Sequence, residues 1–283
     1  QMNNFIDREN EYYPKLLKEI SDPPDKLYYD GDVSLLKKTG VGVVGSRKAS
    51  KYGEIVAKQI GKRLAESGIT EVSGLAMGID TAAHFGALDS CGKTIAVLGC
   101  GIDRYYPAQN RRLMDRIKAE GLVISEYPDG TSPRAYHFPQ RNRIISGLCE
   151  STVVVEAGRK SGSLITAELA ASQGRNVYAV PGNITSMSSF GANMLIRDGA
   201  VPLFIIDDLI RDLGLEPQRE KRDILKLGED EERVLKAVMK SSEVTVDDIC
   251  RETMMSPEKI NGILTILEIK GLVDSSLGKV FAI

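Results

Sequence analysis

Gly40-Val41-Gly42-Val43-Val44-Gly45-Ser46-Arg47-Lys48-Ala49-Ser50-Lys51 is the stretch whose reading decides the fold. An uncharged, valine-rich run closes on a glycine, and Ser50 stands where it can cap a following helix, so the segment reads as strand, turn and helix start. The same pattern recurs along the chain. Gly40–Val44, Thr70–Ser73, Thr94–Leu98, Leu122–Ser125, Thr152–Glu156 and Val177–Val180 read as buried strands rich in Val and Ile. Tyr52–Ser67, Ile79–Asp89, Asn110–Glu120, Arg143–Cys149 and Leu164–Gln173 carry helical spacing between them. Strand, glycine turn and helix in repeated alternation predict an α/β architecture. The expected form is an extended Rossmann-like, doubly wound, mostly parallel sheet over residues 38–215.

Residues 1–37 read as a lead-in segment packing on that sheet. Pro14, Pro23-Pro24 and Gly31 punctuate it, with one strand at Leu27–Tyr29. Beyond Leu213-Gly214-Leu215 the chain turns charged, and 216–228 reads as a linker. In 229–283, helical patterns at Asp230–Met239, Val246–Thr253 and Pro257–Lys270 precede a ribbon of Leu272-Val273 and Val280-Phe281. Three helices followed by two strands predict a small C-terminal winged-helix domain.

The bulk numbers exclude several classes. With 42% hydrophobic and 27% charged residues and a net charge of −2, this is no globally basic nucleic-acid protein. Any polyanion site must be local. Residues 229–283 hold 7 basic against 11 acidic residues and the remainder 30 against 28, so positive charge lies toward the larger part. Cys91, Cys100, Cys149 and Cys250 form no CxxC pair, and His84 and His137 are the two histidines, so no metal is expected. Reduced thiols, the lack of an apolar run of about eighteen residues and the lack of a signal-peptide pattern predict a cytoplasmic protein with no membrane partner. Gln1-Met2-Asn3-Asn4 has the look of a trimmed start.

Gly40, Gly42 and Gly45 spell a literal GxGxxG, yet Val41, Val43 and Val44 are the strand itself, and only Gly45 falls in the turn. The dinucleotide fingerprint needs its glycines after the strand, and an acid at the end of the next one, where Ser73 stands instead. No cofactor is expected.

Ligands in open sheets bind at the carboxyl ends of the strands. Four turns should gather there: Gly45-Ser46-Arg47, Ser73-Gly74-Leu75-Ala76, Gly99 to Arg104, and Gly158-Arg159-Lys160-Ser161-Gly162-Ser163. Their small residues let backbone N–H groups approach an anion, and Arg47, Arg104, Lys160 and Ser161 add donors. Ser163 reads as the cap of the last helix. The segment His137-Phe138-Pro139-Gln140-Arg141-Asn142-Arg143 offers a ring, an amide and two guanidinium groups, with no acid between Asp129 and Glu150. Cations beside a stackable ring suit single-stranded nucleic acid. His84 reads as a packing residue and His137 as support for the Phe138 turn. Asp80 and Asp103 read as caps. No catalytic pairing emerges from the spacing. The helix Pro257–Lys270 balances Glu258 and Glu268 against Lys259 and Lys270, which suits a protein contact better than a phosphate backbone.

These motifs resemble the DNA-processing protein A family (DprA, also called Smf). The resemblance rests on Val43-Val44-Gly45-Ser46-Arg47, the run Ser73 to His84, Thr94 to Gly99, His137 to Gly147, Lys160 to Thr166 and Val180-Pro181-Gly182. It implies a non-catalytic homodimer that binds and protects incoming single-stranded DNA and loads the RecA recombinase onto it in natural transformation. Carried over, the DNA-binding positions are Gly45, Ser46, Arg47, Gly74, Arg104, Phe138, Arg141, Asn142, Arg143, Lys160, Ser161, Gly162 and Ser163. The alternative is a Rossmann-like phosphoribohydrolase acting on a nucleoside monophosphate derivative. Such an enzyme would carry a glutamate where Thr166 stands, and Glu168 lies two positions too far along.

Overall fold

The lead-in adds two strands to the sheet. In the computed structural model, which describes residues 4–217, 227–240, 244–270, 272–276 and 278–282, β1 (Phe5–Asp7) pairs antiparallel with β2 (Lys26–Gly31). A short helix α1 (Lys15–Lys18) lies between them, and a 3-10 turn at Val33–Lys37 follows. Four strands expected from the sequence then come with alternating helices: β3 (Gly40–Val44), α2 (Lys51–Glu66), β4 (Thr70–Ser73), α3 (Ile79–Asp89), β5 (Thr94–Leu98), α4 (Arg111–Glu120) and β6 (Leu122–Ser125). The series continues through α5 (His137–Gly147), β7 (Ser151–Val154), α6 (Gly162–Ser172) and β8 (Asn176–Ala179). It closes with α7 (Phe190–Arg197), β9 (Val201–Pro202) and α8 (Ile206–Asp212), which the sequence reading did not resolve.

The sheet has nine strands in the order β1-β2-β6-β5-β4-β3-β7-β8-β9. Pairing from β6 across to β9 is parallel, and β2 joins β6 antiparallel. The chain therefore runs outward from β3 to β6 and returns to β3's other side as β7. That reversal makes a crevice at the carboxyl ends of β3 and β7, where open α/β sheets place ligands.

The strands alternate their side chains between two apolar layers, as a period of two requires. Ile95 and Val97 of β5 join the layer with Ile144 and Ile145 of α5, while Ala96 and Leu98 face Leu113, Met114 and Ile117 of α4. Val41 and Val43 pack against Ala57, Ile60 and Leu64 of α2. Helix α5 starts at His137, six residues ahead of the expected start at Arg143. The polar run His137–Asn142 is thus the first part of a helix, which fixes its side chains against the sheet.

Residues 1–218 and 219–283 form two separate compact units. In the second, α9 (Glu229–Met239), α10 (Val246–Thr253) and α11 (Pro257–Ile269) enclose their own core of Val234, Val238, Ile249, Ile260 and Leu267. The expected ribbon gains a strand: β10 (Val244–Thr245) pairs with β12 (Lys279–Ala282), which pairs with β11 (Val273–Ser276). Thr245 caps α10 by accepting from the Asp248 N–H at 3.2 Å, while Asp248 answers at the Thr245 N–H, which sets the start of that helix. Most of the expected linker, 218–226, lies outside the described residues.

Candidate nucleic-acid interface

The crevice is a groove of about 580 Å³ built from four chain segments, one of which brings Ala76 and Asp80 from the turn after β4 and the start of α3. The turn after β3 contributes Gly45, Ser46, Arg47 and Lys48. The turn after β7 contributes Gly158, Arg159, Lys160, Ser161, Gly162 and Ser163, and α5 contributes Phe138, Pro139 and Asn142. Nine of the sequence-derived residues therefore meet in one place: Gly45, Ser46, Arg47, Phe138, Asn142, Lys160, Ser161, Gly162 and Ser163.

Local chemistry explains each turn. Ser50 caps α2, accepting from the Gly53 N–H at 3.1 Å. The buried Glu156 carboxylate takes the Ser50 N–H at 2.9 Å and its hydroxyl at 2.5 Å, locking the β3 turn to the β7 turn. Gly78 lies at φ +79° and packs on Ser46 O and Arg47, where a Cβ would have no room. Arg47 is thereby held out from the sheet edge, with its guanidinium 5.4 Å from the centre of the Phe138 ring. At α6 the cap is Ser161, not the expected Ser163. Ser161 Oγ accepts from the Ser163 N–H at 3.4 Å, so the helix begins at Gly162 and its first turn lines the groove with the positive end of the helix dipole. Asn142 donates to Gly162 O at 3.3 Å and joins α5 to that turn.

Arg141 and Arg143 require correction. Both were expected to face the ligand, and neither lines the groove. Arg141 is 4% exposed and runs under the sheet edge, donating to Val97 O. A Cβ at Gly74 would land on its guanidinium, so this glycine makes room for the buried cation. Asp80, also buried, accepts from the Gly74 and Ala76 N–H groups at 3.1 and 3.3 Å and so ties down the turn before its own helix. Burial pushes Asp80 above the usual carboxylate range, with the charge of Arg141 acting the other way. Burial likewise lowers Arg141 to about 10, with Asp80 opposing. Arg143 points to the opposite side of α5, held by Glu126 at 2.7 Å and Asp22 at 3.1 Å. Helical periodicity turns Arg143 away from Phe138 and Asn142, while Arg141, three residues after Phe138, is drawn inward to Val97 O.

Arg104 is exposed beside the turn after β5, paired with Asp103 at 3.3 Å, and does not line the groove. Gly74 lines a neighbouring hollow. Residues that the sequence reading passed over include Lys48 and Arg159, whose only signal was a position next to Arg47 and Lys160. Arg159 is laid over the Phe190 ring at 4.4 Å.

His137 stacks on Tyr127 at 4.1 Å and bonds to Gly99 O at 3.1 Å, which seats the Phe138 turn. Asp103 accepts from the Gly130 N–H at 2.9 Å. His84 forms a cluster with Thr94 (2.6 Å) and Glu71 (2.8 Å). Hydroxyl, imidazole and carboxylate meet there, but all three are fully buried and no substrate reaches them. Thr166 lines the groove at the position where a phosphoribohydrolase would carry its glutamate, and Glu168 is exposed outside it. Among the described residues no group of His, Cys, Asp and Glu is arranged to hold a metal, and no helix is long and apolar enough to cross a membrane.

The family model described as DNA recombination-mediator protein A matches residues 4–214, and that of the DprA winged helix domain matches 218–279. The chain belongs to the DNA recombination-mediator protein A family. Within it, the DNA processing protein DprA of Streptococcus pneumoniae is 51% identical over 188 residues, which is 66% of this chain and 66% of that protein. The chain thus spans just under two thirds of that relative. The X-ray structure of the S. pneumoniae protein superposes with a TM-score of 0.73 at 46% identity, covering 75% of each chain. A DNA processing protein A from Helicobacter pylori, described for its single-stranded DNA binding mode, superposes with a TM-score of 0.68 at 32% identity over 75% of this chain and 96% of its own.

Proposed function

We propose that this DprA-family chain binds single-stranded DNA in the crevice between β3 and β7, without cutting it. The observation that carries the reading is the convergence of Arg47, Lys48, Arg159 and Lys160 on the open N-terminus of α6, with Phe138 beside them. Backbone N–H groups and cations take phosphates, and a ring takes a base, which is how flexible strands are held. The groove is a trough at a sheet edge. It presents no helix to a major groove, so duplex is the poorer ligand. Asp80, the carboxylate in its lining, is spent on the Gly74 and Ala76 N–H groups, which favours binding over general-base chemistry.

The same proposal extends to the partners that family membership suggests. The chain protects incoming strands in the cytoplasm, passes them to RecA in natural transformation, and acts as a homodimer. Val201, Phe204 and Ile205 are exposed apolar residues at the β9 edge, which supports self-association there. Light scattering on a sizing column tests the dimer. RecA-dependent ATP hydrolysis on single-stranded DNA, with and without this protein, tests the loading role. Incubating the protein with end-labelled single strands tests for cutting.

A further inference from the structure

A second aromatic ring stands beside Phe138, on the side away from the phosphate groove. Tyr106, in the turn between β5 and α4, has its ring centre 5.2 Å from that of Phe138 with the planes 30° apart. Phe138 and Arg47 form a partition. On one side is the large groove, and on the other a hollow of about 100 Å³ lined by Gly74, Met77, Gly99, Tyr106 and Pro107.

We propose that this hollow is a nucleobase site and that Tyr106 is its stacking platform, a deeper level of the single-stranded DNA reading on which it rests. The chemistry of the lining selects a ring over a phosphate. Met77, Leu98, Pro107, Tyr106 and Phe138 make it apolar, and its one charged side chain is Arg47, shared with the groove where the strand's backbone runs. Tyr106 is 41% exposed, and its hydroxyl has no hydrogen-bond partner among the described residues. Its outer face is therefore free to receive a base, while Phe138 supports the inner one.

Gly99 and Gly74 line the hollow, and Gly99 keeps it open beside Phe138. A Cβ at Gly99 would lie 3.1 Å from Phe138 Cδ1, and one at Gly74 would displace Arg141. One backbone group of each glycine is already used: Gly74 N–H by Asp80 at 3.1 Å and Gly99 O by His137 at 3.1 Å. The side chains around the hollow are mostly apolar, so the site takes any base by stacking. It distinguishes a base-bearing strand from a bare sugar-phosphate one.

The chain contains no tryptophan, so Tyr106→Trp introduces a single indole reporter. Oligothymidylate and oligodeoxyadenylate should both quench its fluorescence on binding, and an abasic oligomer of equal length should bind without quenching. Tyr106→Leu should lose about tenfold in affinity for both base-bearing strands. It should lose little for the abasic one, with Tyr106→Phe near wild type and thermal melts unchanged. Binding of base-bearing strands without quenching overturns the proposal, as does an equal loss by Tyr106→Leu on the abasic strand. Failure of the wild-type protein to bind any strand overturns instead the reading on which the site rests.

Discussion

Arg143 and Glu126 form a two-pronged ion pair, Nη2 to Oε2 at 2.7 Å and Nη1 to Oε1 at 3.2 Å, and their side chains are only 15% and 16% exposed. The pair couples α5 to the turn after β6, and Asp22 adds the lead-in to the same guanidinium. An arginine in the acid-free stretch between Asp129 and Glu150 is thus a strut of the fold. Arg143→Ala should lower stability by roughly 2–3 kcal/mol, because it strands a mostly buried carboxylate. Affinity for single-stranded DNA should change by less than about twofold. A denaturant titration beside a binding curve checks both. A large affinity loss with an unchanged midpoint would return Arg143 to the interface.

Arg47 and Lys160 should behave in the opposite way. Both are exposed and line the groove. Each alanine variant should weaken single-strand binding and reduce the salt slope by about 0.7 per neutralised phosphate, with melting unchanged. Titrations at several salt concentrations measure this directly.

The buried Asp80 and Arg141 predict a pH signature. Removing the cation by Arg141→Leu takes away the influence that holds Asp80 down, so its folded pKa, already raised by burial, rises further. A group with a raised folded pKa binds more protons folded than unfolded, and stability then falls as pH rises through that range. The stability deficit of Arg141→Leu should therefore be smaller at pH 5 than at pH 8, with a total loss of roughly 3–5 kcal/mol at the higher pH. Thermal or urea unfolding at the two pH values settles the sign.

Much of this was legible in the chain because buried parallel strands leave an unbroken apolar signature. The strands Gly40–Val44, Thr70–Ser73, Thr94–Leu98 and Leu122–Ser125 coincide with β3 to β6. Short or exposed strands carry no such signal, so β1, β9 and β10 were not legible, nor was the antiparallel join of β2 to β6. At the site, the turns that meet were readable from their glycines and serines. The fate of Arg141 and Arg143 was not, since it depends on where α5 begins. Pro139 within the first turn is compatible with a helix start at His137, but a single sequence does not say whether the helix starts there or six residues later, at Arg143. Tyr106 was missed because its partner Phe138 is 32 positions away and only folding brings them together.

The two compact units predict a clean dissection. Each has its own apolar core, and residues 229–283 carry 11 acidic against 7 basic residues. A protein ending at residue 217 should fold and keep single-strand affinity within about tenfold, or 1.4 kcal/mol, of the full chain. A greater loss would assign the winged helix a direct share in DNA binding.

The central claim is that the crevice between β3 and β7 holds single strands. The most direct test is a titration of the full chain with labelled single-stranded and double-stranded oligonucleotides of the same sequence over a salt series. The account predicts tighter binding of the single strand at every salt concentration, and loss of that preference in Arg47→Ala. Equal affinity for duplex and single strand, or a preference that survives Arg47→Ala and Lys160→Ala together, would contradict it.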